Sequence, residues 1–304
     1  MACKANTKIQ VTAYNASTSI CRETGIKGGP LPLARWIIRN PLAPDGCTEC
    51  NQRHHHINGG IAYGIRMYYS YTRDRDYLTN PEWRGCDVTR GIAEFYANIA
   101  KYNTSKGRYD IYGVTGPDDS HPSVWNNAYT NVVASLAIHW ARYMSCLCGR
   151  VSREDIPDDW MQVALYLHLP YDTIKRLHHQ YEGFDRESGN KQIKQADTVM
   201  LGWPLNWNMS LDIWRNDLDY YEPLTSTRTP AMTHSFHTVG YKFIGEPNKA
   251  ASSFLKSYQS YMKQPSRFGP SMMRVWEQLL MRRLSTSCQA WVASCSPSSM
   301  ALLG

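Results

Sequence analysis

The chain has no continuous apolar run of about 18 residues, the length a helix needs to cross a bilayer, so no membrane span is expected. A signal peptide is missing too. The opening MACKANTKIQVTAYNASTSICRETGIKGGP puts no apolar core after its basic residues, and the expected location is cytoplasmic. Charge is sparse. Lys and Arg number 33 against 26 Asp and Glu, a formal +7, but charged residues make up only 19% of the 304 and form no basic block. The stripe by which a protein grips nucleic acid is therefore lacking, and no nucleic-acid partner is expected. The nine cysteines (Cys3, Cys21, Cys47, Cys50, Cys86, Cys146, Cys148, Cys288 and Cys295) form no even ladder, which reads as free thiols in a reducing compartment. The sequons at Asn15, Asn103 and Asn208 matter only in a secreted chain. No internal repeat is visible, which excludes a solenoid. Strand signals are few, the best being Arg108 to Val114. Phenylalanine is scarce: 6 Phe stand against 20 Tyr and 10 Trp, so most rings carry a polar tip on a flat apolar body. Such rings suit sugar or base stacking, and they suit wet cores equally well.

What the chain does have is helical spacing. Up to about Arg53 no period is sustained, and Gly28-Gly29-Pro30, Asn40-Pro41 and Pro44-Asp45-Gly46 punctuate an irregular segment. From Ile57, apolar residues recur at Ile61, Ile65, Tyr68, Tyr69 and Tyr71, then at Val88, Ile92, Phe95, Tyr96 and Ile99. This predicts two amphipathic helices joined by the polar loop TRDRDYLTNPEWRG. A third helix, from about Tyr129 to Cys148, carries Val132, Val133, Leu136, Ile138, His139, Trp140 and Tyr143 almost all round, as in a helix buried on both sides. Further helices are expected at 158–168, 194–201, 212–221, 230–244 and 247–262. The class is mostly α with long loops, and loops held by helices often carry function.

Two such loops are chemically unusual, GVTGPDDSHPSVWNNAYTN and GFDRESGNKQIKQAD. In the first, Asp118 and Asp119 stand side by side after Gly116-Pro117. Paired carboxylates at a turn serve acid catalysis, metal binding or plain capping. The amides of Asn126, Asn127 and Asn131 could line a site for a polyhydroxylated ligand, though Asn is equally a helix starter. Cys47 and Cys50 with His54, His55 and His56 offer soft and imidazole ligands, but their spacing fits no standard finger. His178-His179 reads as a surface pair on a basic helix. Neither metal nor cofactor is expected.

A larger pattern joins these pieces. His56-Ile-Asn-Gly-Gly-Ile-Ala-Tyr63, Arg75-Asp-Tyr-Leu78, Ile92-Ala-Glu-Phe-Tyr96, Gly116-Pro-Asp-Asp-Ser-His121 and Asn126-Asn-Ala-Tyr-Thr-Asn131 occur in that order. Lys194-Gln-Ala-Asp197, Tyr220-Tyr-Glu-Pro-Leu-Thr-Ser226 and Pro230-Ala-Met-Thr233 follow. The set resembles the catalytic domain of glycoside hydrolase family 65, which contains the kojibiose, maltose and trehalose phosphorylases and acid trehalase-like proteins. It is most similar to the animal branch, which removes α-linked glucose from glucosyl-galactosyl-hydroxylysine. The resemblance spans about 54–276. It implies an all-α (α/α)6 toroid, here incomplete, with the sugar at the mouth of the barrel and a carbohydrate as partner. It places the general acid at Asp119, where the family has Glu, and hydrogen bonds to sugar hydroxyls at Lys194 and Gln195. An Asp is shorter by one C–C bond, about 1.5 Å, when a misplacement of about 1 Å can cost about 100-fold.

Departures from the pattern are informative. An inverting glycosidase needs a second carboxylate, roughly 6.5 to 9.5 Å from the acid, to activate water. The family's base follows Val-Trp by one intervening residue, whereas Glu277 follows Val275-Trp276 directly, so Glu277 is a displaced base. Beyond it the chain reads STSCQAWVASCSPSSMALLG where the family has Asn-Phe-Leu-Thr-Gly-Met-Gly-Gly-Phe-Leu-Gln. A frame taking the last base of each codon and the first two of the next turns Trp291-Val292 into Gly of necessity. The same frame permits Asn-Phe-Leu from Thr286 to Cys288 and Gly-Phe-Leu-Gln from Ala293 to Ser296. Residues 277–304 are therefore expected to be an out-of-frame tail, residues 1–53 an irregular and mis-framed segment, and 54–276 a partial catalytic domain. The expected function is an inverting glucosidase, impaired in this copy. The alternatives are a disaccharide phosphorylase or an inactive fragment.

Overall fold

A computed structural model describes residues 53–81, 83–184, 192–226 and 231–259. They fall into two compact units, one of 53–171 with 178–184, the other of 172–177 with 192–226 and 231–259.

The first unit is built on three long helices: α1 (His56–Thr72), α3 (Gly85–Ile99) and α4 (Ala128–Leu147). Shorter helices α2 (Asp76–Thr79), α5 (Ser152–Asp155) and α6 (Asp158–Tyr166) surround them. The expected spacing holds for α1 and α3: Ile65 and Tyr69 meet Val88, Ile92, Phe95 and Tyr96 in one core. Each such apolar side chain, fully buried, contributes about 1.5–3 kcal/mol. α4 has fourteen of its twenty residues buried, so it is enclosed on more than one side as its composition predicts, although Tyr143 lies exposed. Close approach is made possible by Gly59 of α1, where a Cβ would lie 2.5 Å from both methyls of Val133 on α4. Tyr96 locks the same corner: its hydroxyl donates to the His55 carbonyl at 2.6 Å and accepts from the Gly59 N–H at 2.9 Å.

Local chemistry sets the ends of these helices. The Asn127 side chain caps α4 by accepting from the Thr130 N–H at 2.8 Å, a bond typically worth about 1 kcal/mol. Arg73 ends α1 in the left-handed region (φ 54°) with its N–H on the Tyr69 carbonyl.

In this unit four expectations need correction. The polar loop after α1 contains the helical turn α2, because Tyr77 and Leu78 within it are buried. The strand at Arg108 is shorter, β2 (Arg108–Asp110), and pairs antiparallel with an unforeseen β1 (Lys101–Asn103) across a turn with Gly107 at φ 62°. Cys86 and Cys148 are not free thiols but a disulfide, since antiparallel packing brings the first turn of α3 against the end of α4. His178 is no surface helix residue. It is buried in β4 (Leu177–His178), which forms a second two-stranded sheet with β3 (Tyr171–Asp172).

The second unit holds α7 (Leu211–Tyr221), α8 (Met232–Phe243) and α9 (Pro247–Tyr258). Ser210 caps α7 by accepting from the Ile213 N–H at 3.3 Å, and Pro247 opens α9 at the position where its missing donor costs nothing. Gly240 lets α8 settle on Leu218, whose Cδ2 would lie 2.8 Å from an added Cβ. Of the helix expected at 194–201, only Thr198–Leu201 is helical, as a 3-10 turn. The described residues are thus helix-rich with short strands, and none of their helices is long and apolar enough to cross a membrane. The tail 277–304 and segment 1–52 lie outside the described residues.

Candidate functional site

The Gly-Pro-Asp-Asp turn sits on a loop clamped at its neck. Val114 and Val124 form an antiparallel bridge with both N–H···O bonds made, at 2.9 and 2.8 Å, so 115–123 is a closed excursion rather than a free linker. Its two carboxylates have opposite fates. Asp118 is fully buried and accepts from the Ser120 hydroxyl at 2.6 Å, the Ser120 N–H at 3.3 Å, His121 Nδ1 at 3.2 Å and Gln180 Nε2 at 3.2 Å. Burial alone would raise its pKa, but the bonds from His121, Ser120 and Gln180 outweigh it and hold the carboxyl below its ordinary value. Asp119, the next residue, is exposed. The buried carboxylate builds the turn, and the turn presents its neighbour to solvent.

Gln180 ties this loop to the buried helix. Its carbonyl accepts from Asn127 Nδ2 at 3.0 Å and from the Ala128 N–H at 2.9 Å, so one residue fixes both the turn and the start of α4. On the other side of the loop, the His121 ring lies against Tyr181 and Phe184, with centroids 5.5 and 6.1 Å away. Behind it, His56 Nδ1 meets the Thr115 carbonyl at 3.1 Å. Burial, with His54 nearby, lowers the His56 pKa to about 3, so the ring is neutral and Nδ1 carries the proton in that bond. His56 is therefore committed to the loop's base. Cys47 and Cys50, its companions in the metal alternative, lie outside the described residues.

The asparagines next to the loop turn inward. Asn126, at φ 51°, accepts from the Ile111 N–H at 3.0 Å and from Asn131 Nδ2 at 3.1 Å, and donates to Asp110 at 2.9 Å and to Glu182 at 2.7 Å. Asn127 is the cap of α4, and Asn131 donates to the His168 carbonyl at 2.7 Å. All three are buried, so of the two readings open for these amides the structure takes the architectural one. Asp110 is fully buried and also accepts from Asn103 at 2.8 Å, Tyr112 at 2.8 Å and Lys106 at 3.2 Å; Lys106 reaches Glu182 at 2.6 Å. Against the penalty of burial, these donors keep Asp110 below its usual carboxylate range. Gln180 and Glu182 carried no signal in the sequence, and Asp110 none beyond its place in the strand signal from Arg108 to Val114. Gln180 and Glu182 belong to no periodic pattern, and their partners lie up to 76 positions away.

Lys194 and Gln195 belong to the second unit. The strand-like Ile193 between them and the chain before is buried, with its N–H on the Leu224 carbonyl at 2.9 Å and its own carbonyl accepting from the Ser226 N–H at 2.9 Å. Thr233 Oγ1 donates to the Lys194 carbonyl at 3.2 Å. The backbone is thus pinned while the Lys194 side chain is exposed and Gln195 half-buried. Beneath, the buried Thr225 hydroxyl contacts His237 Nε2 at 3.2 Å, and burial with His234 lowers the His237 pKa to about 3. Glu277 lies outside the described residues.

Comparison with known proteins is specific. The model of the glycosyl hydrolase family 65 central catalytic domain matches residues 37–191. A protein-glucosylgalactosylhydroxylysine glucosidase of Dictyostelium discoideum is 35% identical over 225 residues, 74% of this chain and 30% of that protein. Its mouse namesake (Mus musculus) is 33% identical over 203 residues, 67% of this chain and 28% of that one. The chain thus spans about a third of the length of the curated relatives it matches. A solved structure from the human microbiome, provisionally assigned as a kojibiose phosphorylase, superposes with a TM-score of 0.65 over 93% of this chain and 41% of its own, at 18% identity. That level of identity supports a shared fold and no more. On the strength of the matched catalytic domain and of relatives a third identical over most of its length, the chain belongs to glycosyl hydrolase family 65.

Proposed function

We propose that this chain is part of an inverting glucosidase that removes α-linked glucose from glucosyl-galactosyl-hydroxylysine, with its helices forming part of an (α/α)6 toroid. The observation that carries this reading is the division of labour at 118–119: Asp118 is buried in four hydrogen-bonded contacts, and Asp119 emerges exposed from a loop closed at its neck. In this reading Asp119 protonates the leaving glycosidic oxygen. Lys194 and Gln195 donate hydrogen bonds to the hydroxyls of the departing glucose. A carboxylate at or near Glu277 removes a proton from water as it attacks the opposite face, which inverts the anomeric centre.

The kinship supports the substrate class, because the relatives named above carry that activity in their names. The shortened acid makes this copy slow: Asp119 stops about 1.5 Å short of where a glutamate would end. Incubating the chain with glucosyl-galactosyl-hydroxylysine tests the reading. Release of β-glucose without added phosphate, lost in Asp119→Asn, is the expected result. Phosphate-dependent formation of glucose 1-phosphate, or turnover that survives Asp119→Asn, overturns it.

A further inference from the structure

Tyr112 and Trp125 face each other across the two segments that lead into and out of the Asp119 loop, and both rings are turned to solvent. Trp125 is 57% exposed and Tyr112 41%, while their neighbours Ile111 and Asn126 are fully buried. Ile111 and Asn126 bond to each other in the interior, with the Asn126 N–H on the Ile111 carbonyl and the Ile111 N–H on Asn126 Oδ1, while the rings next to them in the chain lie at the surface. The rings stand edge to face, 5.2 Å apart at 87°.

The Tyr112 ring and the Trp125 backbone are both tied down. The Tyr112 hydroxyl donates to the buried Asp110 carboxylate at 2.8 Å, and the Trp125 carbonyl accepts from the Glu182 N–H at 3.0 Å. Along the edge of this pair lie Lys106 and Glu182, ion-paired at 2.6 Å and each about one-third exposed. Two adjacent exposed aromatic rings are thus bordered by a charged donor and a charged acceptor. An apolar partner would take that ion pair out of water while offering it no hydrogen bond in exchange. A pyranose ring satisfies both parts, because its C–H face stacks on an aromatic ring while its hydroxyls reach polar groups at the edge.

We propose that Tyr112 and Trp125 are a stacking platform for a pyranose ring of the substrate beyond the glucosyl unit that is cleaved, an inference that rests on the glycoside-binding part of the reading above. Position along the chain agrees. Trp125 follows Asp119 by six residues, a fully extended reach of about 20 Å, and the Val114–Val124 bridge joins the platform to the neck of the same loop. The order of the rings sets the expected selectivity: a ligand with more than one sugar ring uses the platform, and bare hydroxylysine does not.

Calorimetric titration of the full chain with glucosyl-galactosyl-hydroxylysine, maltotriose and free hydroxylysine tests this. Trp125→Ala is expected to weaken both sugar ligands by about tenfold and Trp125→Phe by no more than about threefold, with the thermal midpoint unchanged because the ring is exposed. Hydroxylysine is expected to respond to neither variant. Unaltered affinity in Trp125→Ala, or no sugar binding by the unchanged chain, overturns the platform. So does conversion of a dimer to a monomer by Trp125→Ala, which would assign the face to a second copy. The two readings fail separately: maltotriose binding that depends on Trp125 with no glucose released sinks the hydrolase and leaves the platform standing, while glucose release indifferent to Trp125→Ala does the reverse.

Discussion

Asp118 and Gln180, separated by 62 positions, meet in the interior of the first unit, where Gln180 Nε2 donates to the Asp118 carboxylate at 3.2 Å. The contact couples three things that the sequence keeps apart: the carboxylate turn, the start of the buried helix α4 and the segment after β4. Asp119 inherits its direction from that coupling, since the residue before it has no freedom left. On the function proposed above, an acid at Asp119 gains from such bracing, because error in placement lowers the rate.

The first prediction concerns that brace. Asp118→Ala strands the buried Gln180 amide, while the exposed Ser120 hydroxyl can turn to water, and one unsatisfied buried group costs about 1–3 kcal/mol. Equilibrium urea unfolding should show a loss in that range. Acid should do something similar to the unchanged chain. The folded pKa of Asp118 is depressed, so its contribution is fully present above the unfolded value of about 3.9 and fades as pH falls below it. The decline between pH 4 and pH 2 should be shallower in Asp118→Asn, and equal slopes would remove Asp118 from this role.

Buried imidazoles act at a higher pH. His56 and His237 have pKa values lowered to about 3, mainly by burial, against about 6.5 when unfolded. Between those values the unfolded chain binds protons that the folded chain refuses, so stability rises with pH. The expected outcome is a urea midpoint that drops steadily as pH is lowered from 7 toward 4. His56→Gln should keep the contact with the Thr115 carbonyl while losing part of that slope.

Much of this architecture was legible because its cause is periodic. Ile65, Tyr69, Val88, Ile92 and Phe95 recur at helical spacing, and they form the core where α1 and α3 meet. The β1–β2 hairpin was half hidden, since Lys101–Asn103 has no apolar alternation and owes its pairing to a turn at Gly107 and to donors converging on Asp110. Gln180 and Glu182 were illegible for a different reason: a residue whose partners lie in distant segments leaves no local trace. The disulfide follows the same logic, because nothing local to Cys86 or Cys148 announces that α3 and α4 run antiparallel. Asn126 and Asn127 were legible as chemistry but not as destination, and only the fold decides that their amides turn inward.

Lengthening the acid is the sharpest test of the site. Asp119→Glu adds the missing C–C bond at an exposed position on a loop whose neck and inner carboxylate are untouched, so the fold should tolerate it. If placement of the acid limits this chain, glucose release should increase by up to about 100-fold, in kcat rather than in KM, because the substitution leaves Lys194 and Gln195, the residues proposed to hold the sugar, unchanged. A rate unmoved by Asp119→Glu, in a chain still silenced by Asp119→Asn, would locate the limiting step at the water-activating carboxylate instead.

Gly59 provides a purely structural counterpart. Its missing side chain lets α1 lie against Val133 of α4, and Gly59→Ala would drive a methyl to within 2.5 Å of both Val133 methyls. Overpacking of that kind costs about 1–3 kcal/mol, against which the better helix propensity of Ala returns about 1 kcal/mol or less. The variant should therefore be net destabilised in urea unfolding, and the Tyr96 bonds to Gly59 and His55 at the same corner should weaken with it. Removing the obstacle reverses the sign. In Gly59→Ala with Val133→Ala the new methyl occupies space that the valine vacated, so the pair should be less damaging than the sum of its single substitutions, the non-additivity expected of residues in contact. Strict additivity would mean that α1 and α4 separate to absorb the methyl, and that the close approach at Gly59 is not what sets their spacing.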